Sequence, residues 1–213
     1  MNIGGPIKLS GKGRGTMARL VRTLVAAGLA GVLAGCISFG EDPPDSLLTL
    51  TAATAPEAGY SAQGSSQSAI AVIEPGAPQR LAVTRVPVQI DDTQVAYLKD
   101  AVWVERPSRL FQRLLAETIR ARTGRMVIDG DDPAVGSAVQ VQGTLRDFGY
   151  DARTGSAVVR FDAVRGGAGD NVQTRRFESV VPGVAAEAGP VGEALNRAAN
   201  DVAGQVAVWV AGA

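Results

Sequence analysis

The chain has 213 residues, 21 basic and 21 acidic side chains that balance to zero net charge, one cysteine and no histidine. The missing histidine removes Ser-His-Asp and Cys-His catalysis, imidazole zinc sites and histidine pH switching together. A single cysteine excludes an internal disulfide, so the core alone must hold the fold.

Met1 to Thr16 is basic and Gly-rich, and reads as an extension ahead of a start at Met17 or as a lengthened n-region. Arg19 and Arg22 then lead into an apolar run that ends in Leu33-Ala34-Gly35-Cys36. A charged start, a short apolar middle and a small-residue exit are the layout of a secretory signal peptide. The apolar part falls short of the ~20 residues that a membrane-spanning helix needs. Small residues followed at once by cysteine resemble the lipobox of bacterial lipoproteins. That resemblance implies cleavage before Cys36, diacylation of its thiol by palmitate-like chains and acylation of the new amino terminus. Each buried methylene contributes about 0.8 kcal/mol, and stable anchoring takes two membrane signals, which several chains on one residue supply. Residues 1–35 are thus expected to be a lipoprotein signal peptide, 36–45 a tether and 46–213 one domain. Lys8, Lys12, Arg14, Arg19 and Arg22 all precede Cys36, which leaves 16 basic residues against 21 acidic ones after it. A mature chain with a net charge of −5 argues against a nucleic-acid partner.

Gly40 and Pro43-Pro44 keep the tether irregular. Ser46 to Thr51 (SLLTLT) is a β-prone run and an expected first strand. Ala52 to Ser68 is rich in Ala, Ser, Gly and Gln and reads as a long mobile loop, its Tyr60 either docked on the body or exposed. Ala69 to Glu74 (AIAVIE), ended by Pro75-Gly76, has the character of a buried strand. Gln79 to Val88 holds a second β-prone run. Thr93 to Leu98 and Ala101 to Val104 are expected as two extended pieces about a turn at Lys99-Asp100, with Trp103 a sheet residue under the next helix.

Pro107 suits the first turn of a helix whose apolar stripe is Leu110, Phe111, Leu114, Leu115, Thr118 and Ile119, stopped by Gly124. Arg109, Arg113, Glu117, Arg120 and Arg122 occupy its other faces, either solvated or meeting an acidic partner or phospholipid headgroups. Arg125 to Ile128 is a short strand. Asp129-Gly130-Asp131-Asp132-Pro133 lacks the spacing and closing glutamate of a calcium loop and reads as a solvated turn.

Val139 to Leu145, Ala157 to Ala163 and Val172 to Val181 alternate apolar and polar residues and predict a three-strand meander. Asp151 to Gly155 is its first turn and Gly166 to Asn171 its second; no helix and no Gly-Lys-Ser/Thr ending follow to make the latter a phosphate loop. Pro190 is expected to open a last helix with Val191, Leu195, Ala198, Val202, Val206 and Trp209 on one stripe. Its end is apolar almost all round, so it should be deeply packed or lie against a partner. Strands followed by amphipathic helices predict an α+β fold: a mainly antiparallel sheet with two amphipathic helices packed on one face.

This layout resembles the ABC-type transport auxiliary lipoprotein family, which includes PqiC-like proteins. The resemblance rests on Cys36, the strand at Leu47 to Leu50, AIAVIEPG, the segment QVAYLKDAVWVERPSRLFQRLLAETI with Tyr97, Trp103 and Pro107 in order, the meander and the closing Ala-rich helix. Where family members often read Pro-x-Tyr-Leu-Asp, this chain has Pro78-Gln79-Arg80-Leu81-Ala82. The resemblance implies a non-enzymatic accessory subunit partnered with an MCE-type substrate-binding protein, an ABC permease and an ATPase, in a system that moves lipids through the envelope. Ile37-Ser38 after the cysteine, with no aspartate, favours the outer membrane, facing the periplasm. An alternative is an outer-membrane assembly lipoprotein that supports a β-barrel partner. An enzyme would have to draw paired carboxylates from Asp129, Asp131, Asp132 or Glu105, with no base or nucleophile nearby in sequence. No catalytic, cofactor-binding or metal residue is assigned; lipidation at Cys36 is the one site.

Overall fold

The computed structural model describes Met1 and residues 44–65, 68–129, 139–167 and 169–212. Residues 2–35 of the expected signal peptide, Cys36 and the rest of the tether to residue 43 lie outside them. The chain divides into Met1–Pro43 and Pro44–Ala213, and the second unit holds the fold. Its strands and helices are β1 (Ile70–Val72), β2 (Arg85–Gln89), β3 (Val95–Val102), α1 (Pro107–Thr123), β4 (Val127–Ile128), β5 (Val139–Asp151), β6 (Ser156–Gly167), β7 (Gly169–Val181) and α2 (Ala188–Ala211).

The long strands β5, β6 and β7 form the expected antiparallel meander. The other edge of β5 is shared: β1 runs parallel beside Val139–Val141, Gly76 bridges Thr144, and β2 runs parallel beside Tyr150–Asp151. β4 lies parallel to β1, and β3 is antiparallel to β2. The sheet is therefore mainly antiparallel, as expected, but mixed rather than purely so, with short parallel pairs at β1, β2 and β4. The reason is local: Pro75-Gly76 and a 3-10 turn at Gln79–Leu81 kink the chain between β1 and β2 without reversing it, so both run the same way along β5. The helix α1 then supplies the crossover that a parallel β1–β4 pair requires.

Both helices form for the reasons their sequence suggests. Pro107 fills the first position of α1, and Gly124 takes the left-handed cap at φ 65°, its N–H donating to Arg120 O at 3.0 Å. The whole predicted stripe is buried, and so are Ser108 and Gln112. Gln112 Nε2 donates to Val72 O (3.0 Å) and Ser108 Oγ to Glu74 (2.7 Å), which ties α1 to the β1 strand and its exit. α2 begins at Ala188, two residues before Pro190, because first-turn N–H groups have no intrahelical acceptor and a proline there loses nothing. Val191, Leu195, Ala198, Val202 and Val206 are fully buried.

The two helices share one face of the sheet. Phe161 and Phe177 are directly opposed on β6 and β7, so their side chains leave the sheet on the same side. Phe111 of α1 meets Phe161 edge-on at 5.3 Å, and Trp209 of α2 meets Phe177 at 5.5 Å. Trp103 is buried beside them and stacks edge-on against Phe148 at 5.4 Å.

Several expected strands differ. Ser46–Thr51 contributes a single bridge, Leu48 to Trp103, with Leu48 N–H on Val102 O and Val104 N–H on Leu48 O. The Gln79–Val88 run splits: Gln79–Leu81 is a 3-10 turn that buries Leu81, and extension starts at Arg85. Pro87 sits inside β2 beside a register shift, where a missing donor is tolerated. The two pieces about Lys99-Asp100 are one strand, β3, with Asp100 at φ 57° in the irregularity opposite Arg85–Pro87.

Candidate functional site

Helices cover the Phe161 face of the sheet; the opposite face carries charge. Leu145 pairs with Phe161, but Asp147 pairs with Arg160, so the ladder slips around Arg146. This irregularity puts Arg146 and Asp147 among the outward side chains of β6 and β7. Two chains of ion pairs result. Arg80 donates to Asp147 (2.8 Å), Arg160 bridges Asp147 and Glu178, and Arg146 (2.8 Å) and Arg176 converge on Asp162. Arg176 is bidentate, with Nε on Oδ1 at 2.6 Å and NH2 on Oδ2 at 2.8 Å. The Arg176 and Arg146 hydrogen bonds hold the Asp162 carboxyl well below the usual carboxylate range, and Asp162 in turn raises the Arg176 guanidinium.

At one corner of this face lies a shallow cavity of about 320 Å³, lined among others by Arg80, Asp92, Asp147, Asp151, Arg153 and Arg160. Arg153 forks onto Asp151 at 3.0 and 2.7 Å and lowers that carboxyl as well. Every one of these acids faces a guanidinium. Asp151, lowered by Arg153, is a poor proton acceptor near neutrality, which suits it to polar contact rather than general-base work.

Three arginines of α1, Arg109, Arg113 and Arg120, are paired within the fold. Arg109 and Arg113 both reach Glu105 (3.4 and 2.6 Å), and Arg106 reaches Glu74 at 3.7 Å. Arg120 pairs with Glu117 (2.8 Å) and Asp129 (3.5 Å) and donates to Val127 O. Arg122 lies against Gly204 of α2. Of the carboxylates considered for hydrolysis, Glu105 and Asp129 are thus tied to arginine; Asp131 and Asp132 lie outside the described residues. Among the described residues no three or more His, Cys, Asp or Glu side chains group as a metal site. No described helix is long and apolar enough to cross a membrane.

The segment expected as a mobile loop has fixed points instead. Thr51 N–H donates to Asn196 Oδ1 (2.9 Å). Asn200 reads the backbone twice, its Oδ1 accepting from Ala53 N–H (2.7 Å) and its Nδ2 donating to Thr51 O (2.9 Å). Leu48, Leu50 and Ala52 alternate inward onto the core, and Leu48 lies against Gly192, where a Cβ would meet its Cδ2 at 2.6 Å. Tyr60 docks, donating from its hydroxyl to Gly124 O at 3.1 Å. Residues 48–60 therefore strap the helical layer. Asn196 and Asn200 carried no sequence signal beyond their four-residue spacing on one helix face.

The family of ABC-type transport auxiliary lipoprotein components matches residues 48–207. Comparison with curated proteins gives no match. The crystal structure of a Xanthomonas campestris protein of the DUF330 family is similar at TM-score 0.61 and 17% identity, covering 78% of this chain and 94% of that one. A second crystal structure, of an uncharacterized protein, is similar at TM-score 0.57 and 15% identity, covering 78% and 97%. At these identities the likeness speaks to the fold. The family match starts at the Leu48 bridge and ends within α2, so it spans the whole sheet, α1 and most of α2. The chain belongs to the ABC-type transport auxiliary lipoprotein component family, and is an accessory lipoprotein of a transport system at the cell envelope.

Proposed function

We propose that this protein is a lipid-anchored, non-enzymatic periplasmic subunit of an MCE-type ABC system that moves lipids across the envelope, held to the outer membrane through Cys36. Residues 1–35 are the cleaved signal, 36–45 the tether and 46–213 the domain that meets the permease, ATPase and MCE-type components. The observation that carries the reading is the family match over residues 48–207, preceded by Leu33-Ala34-Gly35-Cys36 at the end of an apolar run. A charge-bearing open sheet face supports docking: charged groups placed on a surface contribute specificity and association rate toward a complementary partner. Co-purification from cells that express this chain and the MCE-type component tests the partnership. Recovery of the MCE-type component with the accessory chain is the expected result, and its absence from the eluate would overturn that part of the reading.

A further inference from the structure

The open face of the sheet carries its ion pairs on β5, β6 and β7; its other edge is apolar. Val86 and Val88 of β2 are core residues, so Arg85, Pro87 and Gln89 between and beside them turn to the open face. Their partners on β3 are Val102, Tyr97 and Val95, which share that side. Leu48 and Trp103 bridge one another and pack inward, which turns their chain neighbours Leu47 and Val104 outward. Leu47, Val104, Val102, Tyr97 and Val95 thus form an apolar stripe along the β3 edge. Leu47 is 51% exposed, Val104 45% and Val95 43%. Within the stripe the Arg85 guanidinium lies over the Tyr97 ring at 4.9 Å.

The stripe begins where the expected tether ends. Leu47 lies two residues beyond Asp45, and the ten residues of 36–45 reach at most about 35 Å when fully extended. Acyl chains on Cys36 would therefore keep a bilayer within that distance of Leu47. We infer that the apolar stripe of β3 lies on the surface of the membrane that holds the anchor; this rests on the lipidation of Cys36 proposed above. A weak contact suffices there, because the anchor has already brought the two surfaces together and supplies a high effective concentration. Valine and leucine side chains enter the boundary between headgroups and acyl chains, and Tyr97 with its stacked Arg85 suits the depth of the phosphates. The rim of the stripe also fits phosphate. Arg85, Lys99 and Arg106 stand there with Asp45, Asp100 and Glu105, and Glu105 is already held by Arg109 and Arg113 of α1. Basic side chains outnumber acidic ones at this edge. In this pose β7, four strands across the sheet and about 19 Å from β3, stays clear of the lipid, and the charged part of the open face remains accessible to a protein partner.

A fluorescent label on the lipidated chain tests the pose. The full chain with Val104→Cys is expressed in cells, purified with its acyl chains and placed in vesicles of phosphatidylethanolamine and phosphatidylglycerol. The new thiol then carries an environment-sensitive nitrobenzoxadiazole group. Thr174→Cys, exposed on β7 of the same face, is the reference. Flotation with the vesicles reads the anchor, and the emission of the floated protein reads the contact. The label at 104 is expected to shift to the blue, to brighten and to be quenched by brominated lipid, while the label at 174 does none of these. Leu47→Asp is expected to abolish the shift at 104 and leave flotation intact. A chain that does not float would overturn the anchoring and this inference with it. A chain that floats with the same emission at 104 and 174 would overturn the inference alone. So would a shift at 104 that appears only when the MCE-type component is added, which would assign the stripe to a protein partner.

Discussion

Arg176 grips Asp162 across the β6–β7 pair with two parallel hydrogen bonds, and Arg146 adds a third from β5. Three strands of the meander are thus tied at one carboxylate. Asp162 is a half-buried acid whose carboxyl is lowered in the folded state, chiefly by the Arg176 hydrogen bond. A lowered acid binds fewer protons folded than unfolded, so the stability it contributes is present above the unfolded value of about 4. It is lost as pH falls from there through the lower folded value. Asp151, lowered by Arg153, and Asp91, lowered by Thr93, act in the same direction. Urea midpoints should hold steady from pH 7 to 5 and fall below about pH 4. Asp162→Asn should flatten part of that fall; an unchanged acid limb would contradict the assignment.

Leu48 and Gly192 are coupled by shape. A side chain at Gly192 would occupy the space of the Leu48 methyl groups, so Gly192→Val should destabilise the fold by about 1–3 kcal/mol. Leu48→Ala should relieve most of that penalty in the double variant. Additive effects in the cycle would show that the strap does not rest on α2 there.

Asn200 holds the strap by its backbone, reading residues 51 and 53. Asn200→Ala should speed hydrogen exchange at Ala53 with a global loss of only about 1 kcal/mol. Protection at Phe161 and Val159, in the middle of the sheet, should not change. Equal losses at both places would place the strap inside the cooperative core.

Phe161 takes the edge-on contact of Phe111 and is fully buried, whereas Trp209 is partly exposed and stacked between Arg165 and Phe177. Phe161→Ala should therefore destabilise by about 3–5 kcal/mol, and Trp209→Ala by clearly less. Thermal or urea denaturation reads both.

How far the residues announced this fold depends on the range of the interaction that decides each element. α1 was legible from Pro107 to Gly124 because its apolar spacing, first-turn proline and terminal glycine all act locally. The meander was legible because alternation in Ala157–Ala163 and around Phe177 is a short-range signal of one buried face. The parallel pairing of β1 and β2 along β5 was not, since nothing within Ala69–Val88 states which distant strand it will lie beside. Local β propensity at Gln79–Leu81 lost to the burial of Leu81 in a tight turn, and SLLTLT kept one bridge because the strap follows a helix instead of a strand. The ion pairs of the open face depended on the slip at Arg146, a register detail invisible in one strand alone. Cys36 is the reverse case: the role proposed for it rests on its neighbours in sequence alone, and it lies outside the described residues.

That role carries the central claim, and radiolabelled palmitate tests it most directly. Cells expressing the full chain should yield a labelled protein in the membrane fraction, and Cys36→Ser should abolish the label and release the chain into the soluble periplasmic fraction. An unlabelled native chain, or a Cys36→Ser chain that stays on its membrane, would contradict the account.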